Sequence, residues 1–336
     1  TQRALEGTWK YVFVCAISIT FVFIGILFLG LSLKNAGSDD LSFDALMKHV
    51  KQLDPFWLKM AFLFIFTGFT AKLGLAPMYT AGIDAKDKAP APAGALFSSV
   101  LMNLGFIGIY RFYVIVAQTP VHALANMIIL ISAVISVFIA AVYMTRIKNI
   151  KRMFAYSGVE HMGLVMLGLA AGGIGAYAAV LHVVLHALVK PSLFFQFNQI
   201  YRVYNSKSIY DAGNYFKYNK AGSVVVLLGF VSAIAMQPSG LFVSEFMIFQ
   251  SLFQSRHLVI LLLVLVFLTF IIYGFGTNVF KLLFTPPLII NEHKIPVISP
   301  WESLSQYILL ALSVYLAYMP PDFFSQWINE AIQFIP

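Results

Sequence analysis

Long apolar runs recur along nearly the whole chain, each bounded by a short cluster of polar residues, and their lengths predict helices that cross a bilayer. They lie at about Tyr11 to Leu33, Phe56 to Tyr79, Ala95 to Val116, Val121 to Tyr143, Ala155 to Ala171, Ile174 to Tyr204, Val224 through Phe249, Leu258 to Val279 and Leu304 to Tyr318. A crossing needs about 20 apolar residues, so these runs are too long for barrel strands and give about nine transmembrane helices in one all-α polytopic domain. The polar stretch NAGSDDLSFDALMKHVKQLD, at 35 to 54, predicts a short surface helix, and Phe323 to Phe334 predicts an interfacial tail helix.

Two of the runs are interrupted. Gly74 and Pro77 break the second, with Lys72 just before the break; Pro238, Ser239 and Gly240 break the seventh, with Glu245 just after it. Proline at membrane depth frees backbone groups that only protein or water can satisfy, so a break beside an ionisable group marks a polar cavity. Two such segments in corresponding places are the pattern of inverted repeats: 1–116 as the remainder of a first repeat, 117–285 as a second, and 286–336 as a C-terminal helix and tail.

The run Leu181 to Phe195, LHVVLHALVKPSLFF, carries His182, His186 and Lys190 at i, i+4 and i+8. Four residues of helix turn about 400° and rise about 6 Å, so the three groups form one polar stripe roughly 12 Å long. A centred lysine costs about 2.5 to 3.5 kcal/mol on insertion scales, which directs the stripe toward protein or water rather than lipid. Packing can account for one histidine on an apolar helix; it gives no reason to repeat the desolvation cost three times on one face, whereas a proton relay does.

Composition changes the picture in one respect. The chain has 336 residues, 60% hydrophobic and 11% charged, against about 25% charged in soluble domains, which excludes a soluble enzyme. The formal charge of +8 reports topology before it reports a partner, and gives no reason to invoke nucleic acid. Arg146, Lys148, Lys151 and Arg152 in one short loop mark the cytoplasmic side; alternation from there assigns 14 of the 22 Lys and Arg to that side, among them Lys86 and Lys88 in the connection DAKDKAPAPAG and Lys281 and Lys294 in the 281–299 loop. One cysteine, Cys15, and no Rossmann or P-loop fingerprint leave no cofactor or metal site in the chain. A chain that opens at Thr1 without a methionine or signal peptide reads as starting partway through a longer protein.

Four stretches in order, FTAKLGLAPMYTAGIDA (69–85), IKNIKRMFAYSGVEHMG (147–163), LHVVLHALVKPSLFF (181–195) and PSGLFVSEFMIF (238–249), resemble the antiporter-like subunits shared by respiratory complex I, energy-converting membrane-bound hydrogenases and multi-subunit cation/proton antiporters. The YSGVEHMG stretch, and Asn103 where complex I members often have a lysine or histidine, make the chain most similar to the large membrane subunit of the hydrogenase 4 or formate hydrogenlyase type. The resemblance implies a proton-pumping subunit of an inner (plasma) membrane redox complex, whose partners are other membrane subunits and which moves H⁺, or Na⁺ as an antiporter. It implies roles for Lys72 as the switch of the inner half channel, for His161 as the proton-pathway histidine that follows the basic loop, for His182, His186 and Lys190 as the central relay, and for Glu245 as the terminal group of the outer half channel. The chain departs from the pattern twice. The glutamate that partners the lysine in the family lies one helix before Thr1, with Glu6 in the following loop a poor substitute, which favours a non-transporting scaffold; and Tyr79 with Ala81, Gly82 and Ile83 stands where relatives carry a histidine and Trp-Leu-Pro.

Overall fold

The computed structural model of the chain describes residues 2–287 and 295–335. Its elements are helices, with one isolated antiparallel bridge between Asn149 and Ser208. In order they are α1 (Gln2–Asn35), α2 (Phe43–Lys48), α3 (Pro55–Leu73), α4 (Thr80–Lys88), α5 (Ala91–Ser98), α6 (Val100–Ala117), α7 (His122–Arg146), α8 (Ile150–Ala171), α9 (Ile174–Tyr204), α10 (Tyr215–Tyr218), α11 (Lys220–Ala233), α12 (Gly240–Gln254), α13 (Leu258–Phe284), α14 (Leu304–Tyr318) and α15 (Asp322–Ile332).

Seven helices among the described residues are long and apolar enough to cross a membrane, or eight if the bent pair Pro300–Tyr318 and Asp322–Ile332 makes one span. The expected nine differ because α11 and α12, with 14 and 15 residues, each fall short of a crossing on their own. The first helix starts at Gln2 rather than Tyr11, so Glu6 lies on α1, where it pairs with Lys10 one turn on at 2.5 Å, and not in a loop. The third expected crossing is divided at Ser99, whose φ of −112° and ψ of −81° separate α5 from α6. Lys294 and part of the 281–299 loop lie outside the described residues.

α8 is the axis of the molecule. Its spanning stretch is buried on every side, between α7, α9, α12 and α4, its polar residues Ser157, Glu160 and His161 included. α9 packs on it and in turn meets α5, α11, α12 and α14. The connections expected on the cytoplasmic side meet at one end of the bundle: Ile150 N–H donates to Lys207 O and Ile209 N–H to Lys148 O, while Asn149 and Lys207 both reach Asp87.

The two breaks occur where expected. Gly74, at φ +86°, caps α3 in a left-handed conformation that a side chain rarely adopts. The freed Ala76 backbone is taken up by α7, whose Ser136 Oγ accepts from Ala76 N–H at 2.9 Å while Ser132 donates to Ala76 O. At the second break Ser239 caps α12 by accepting from Phe242 N–H at 3.4 Å.

α1 is held to α3 by backbone approach at small residues, the way helices associate when apolar surface gains nothing over lipid. A Cβ on Gly68 would fall 2.5 Å from Ser18 O. Gly68→Leu is therefore expected to lower the thermal midpoint of the solubilised protein by the equivalent of about 1 to 3 kcal/mol of overpacking. Gly30→Ala, which meets only Leu41 at 3.8 Å, should leave it unchanged; equal losses from both would contradict the close approach.

Candidate functional site

His182, His186 and Lys190 do face one way, onto α8. The stripe is completely buried at the α8–α9 seam, where Ser157 of α8 meets Lys190. His182 Nε2 lies 3.1 Å from His161 Nδ1, and its Nδ1 lies 2.9 Å from Ser244 Oγ on α12. The His161 ring is 5.2 Å from that of His182 and 5.3 Å from that of His186, centroid to centroid. His161 also lies against the Ala233 backbone, the last residue of α11 before the second break.

Lys190 sits one turn farther along α9 and is buried without solvent contact. Its ammonium donates to Phe154 O at 3.3 Å and to Ser157 Oγ, both one to two turns before His161 on the same face of α8. Glu160, buried beside His161, acts electrostatically on Lys190 and on Glu245. Glu245 is buried on α12 next to Ser244, the hydroxyl that holds His182.

This geometry has a chemical consequence. Ser244 can donate to Leu241 O at 3.1 Å, in which case its oxygen accepts from His182 Nδ1–H and His182 Nε2 accepts from His161 Nδ1–H. In the reversed order His161 Nδ1 accepts from His182 and His182 accepts from Ser244, while His161 Nε2, buried without a hydrogen-bond partner among the described residues, carries the proton. Passing one proton along the row converts one order into the other, which is what a relay of neutral imidazoles requires.

Lys72 is not brought to this cluster. It ends α3 on the side facing α1, where its ammonium donates to Tyr11 OH and approaches Cys15 Sγ, each at 3.2 Å, and lies 5.0 Å from the Tyr11 ring centre. Among the described residues its partners are thus a phenol and a thiol.

Four participants escaped the sequence reading: Ser157, Glu160, Lys86 and Ser244. Ser157 follows from the spacing 154, 157, 161 on one helix face, a signal available once α8 is taken as a buried helix that begins at Ile150. Lys86 was assigned to a cytoplasmic loop and is instead buried on α4, 3.0 Å from Met102 Sδ. No period marks a single lysine in a short Ala- and Lys-rich connection as buried. Among the described residues no three His, Cys, Asp or Glu side chains are placed to hold a metal ion.

At the loop end, an open groove of about 1280 Å³ is lined by Lys88, Arg146, Lys148, Lys151, Arg152 and Lys207, with Asp87 in its wall. Burial pushes the Asp87 carboxyl up, but Lys207, Asn149 and Lys88 outweigh it and hold it below the usual carboxylate range. Arg152 pairs with Asp84 at 2.6 Å.

A buried ammonium must keep its acceptors. Ser157→Ala should lower the thermal midpoint by the equivalent of about 1 to 3 kcal/mol, and the same change in a Lys190→Met background should cost much less, because no charge remains to be solvated. Additive losses in that double-mutant cycle would show that Ser157 does not serve Lys190.

The transmembrane family model described as NADH:quinone oxidoreductase/Mrp antiporter matches residues 1–271. A hydrogenase-4 component F homolog of Methylacidiphilum infernorum is 29% identical over 263 residues, 77% of this chain and 55% of that protein. Hydrogenase-4 component B of Escherichia coli is 28% identical over 267 residues, 75% and 38% of the two chains, and NAD(P)H-quinone oxidoreductase chain 4 1 of Microcystis aeruginosa is 28% identical over 254 residues, 74% and 46%. The chain spans about half the length of the curated relatives it matches. Among solved structures, the fold is similar to a chain of an archaeal membrane-bound sulfane sulfur reductase, with a TM-score of 0.87 at 19% identity, covering 100% of this chain and 67% of that one. It is also similar to a chain of the Mrp complex from Dietzia, with a TM-score of 0.85 at 13% identity, covering 98% and 68%.

Proposed function

Since the chain belongs to the NADH:quinone oxidoreductase/Mrp antiporter transmembrane family, we propose that it is an ion-translocating subunit of a membrane-bound redox complex, moving protons while partner subunits transfer electrons. The observation that carries this reading is the buried row Lys190, Ser157, His186, His161, His182 and Ser244 between α8, α9 and α12. Names of relatives support the setting: hydrogenase-4 components and a quinone oxidoreductase chain are parts of redox complexes.

In this reading α11 and α12 form one broken span, completing nine spans, and the breaks after Lys72 and before Glu245 are the matching points of two inverted repeats, 1–116 and 117–285, with 286–336 as the closing helix and tail. The basic groove faces the cytoplasm of a cell whose inner (plasma) membrane holds the complex. Other membrane subunits pack on the exposed apolar faces, and electron carriers reside in partners rather than here. Redox change in a partner shifts the electrostatics at Lys72; the row from Lys190 to His182 passes a proton on; Glu245 releases it. The Na⁺ antiporter reading shares this geometry and is separated by the ion required.

Gln can serve a backbone but cannot carry a proton. Glu245→Gln in the reconstituted complex is expected to assemble and to lose most of its protons moved per electron transferred, Glu245→Asp to keep part, and the wild type to work without Na⁺. An unchanged ratio in the Gln variant would remove Glu245 from the route, and a strict need for Na⁺ would favour the antiporter.

A further inference from the structure

Among the described residues two buried lysines, Lys86 and Lys151, are left unused by the mechanism above; Lys151 donates to the Ala89 carbonyl, whereas Lys86 has no oxygen acceptor. It lies on α4, outside the candidate spans, with 2% of its surface exposed. The acids on its own helix are engaged elsewhere, Asp84 with Arg152 and Asp87 with Lys207 and Lys88. Among the described residues its ammonium meets no carboxylate, and its polar contact is the Met102 thioether at 3.0 Å. A thioether is a weak acceptor, so packing gives little reason to keep a charge there. Burial without compensation pushes this ammonium down to about 7, where it exchanges its proton readily near neutrality.

Its placement is between the groove and the relay. The residues that follow it, Asp87 and Lys88, line the basic groove. On the inner side Lys86 Nζ faces Gly158 of α8, where a Cβ would sit 3.6 Å from it, and Gly158 adjoins Ser157, the hydroxyl that holds Lys190. Lys86 and Lys190 also repel one another electrostatically. Two ammonium groups that repel one another in a dry interior favour the state in which one of them is charged.

Resting on the function proposed above, we propose that Lys86 is the loading station of the relay: it takes a proton from water in the basic groove and hands it to Lys190. In the step, Lys86 as ammonium gives H⁺ to the neutral Lys190 amine, leaving neutral Lys86 and charged Lys190. The Lys86 amine then takes H⁺ from the groove, and no bond other than N–H or O–H changes. Gly158 is part of the device, because a side chain there would crowd the Lys86 ammonium, which a Cβ would already meet at 3.6 Å.

The test uses the whole assembled complex reconstituted into liposomes, reading protons moved per electron transferred with a pH-sensitive dye. Lys86→Met keeps the length and apolar stem without a proton site and is expected to cut the ratio at least tenfold, while Lys86→His, which can carry a proton, recovers at least threefold over the Met variant. If Lys86→Met does not assemble, the His variant decides: pumping supports the assignment, and an assembled but silent His variant overturns it. A Met variant that pumps at the wild-type ratio overturns it too. Lys190→Met, run alongside, separates the two levels: if it is silent while Lys86→Met pumps, only the loading station fails. A wild-type complex that moves no protons removes the transport reading and this inference together.

Discussion

An ammonium removed from water is stable only where neighbouring atoms replace its hydration, and Lys190 is the group in this fold that imposes that condition most strictly. It sits at the α8–α9 seam with a carbonyl and a hydroxyl from α8 as acceptors and Glu160 within electrostatic reach. Those acceptors exist only if α8 runs unbroken past Phe154 and Ser157 and lies flush with α9. The rest of the bundle serves that contact: α7, α12 and α4 enclose α8, and α5, α11, α12 and α14 enclose α9.

The breaks solve a different problem with the same means. Ending a helix inside an apolar bundle exposes backbone groups, and hydroxyls close them, Ser132 and Ser136 of α7 at the first break and Ser239, the N-cap of α12, at the second. The second break also brings Ser244 to His182 and sets the Ala233 backbone against His161. The first leaves Lys72 turned toward α1, apart from the relay. Lys86 and Met102 occupy the space between, for Met102 reaches both Lys86 and the Gly74 turn.

What was legible in the sequence follows from which signals are periodic or categorical. The stripe on α9 was legible because i, i+4, i+8 spacing admits one geometry on a helix, and α9 spans Ile174–Tyr204 as read. Both breaks were legible because Gly and Pro act locally. The start of α1 was not, because Glu6 and Lys10 lie past the apolar run yet continue the helix through their own ion pair. Nor was the burial of Lys86, which depends on how α4 folds back onto α8, a contact between segments some 70 residues apart in the sequence that no local pattern records. The same holds for Ser244, whose value lies in its distance to His182.

The central claim, that this row carries protons and is not a structural polar network, is tested most directly at His186. Both of its ring nitrogens are buried without a hydrogen bond to protein among the described residues, although its ring lies 5.3 Å from that of His161. A structural histidine so poorly bonded is replaceable by an apolar side chain at no loss, and even with gain. The decisive measurement is therefore protons moved per electron transferred, together with the thermal midpoint, in the reconstituted complex carrying His186→Leu. The account predicts an unchanged or higher midpoint and a ratio reduced to a small fraction of wild type; a stable variant that keeps the wild-type ratio would contradict it.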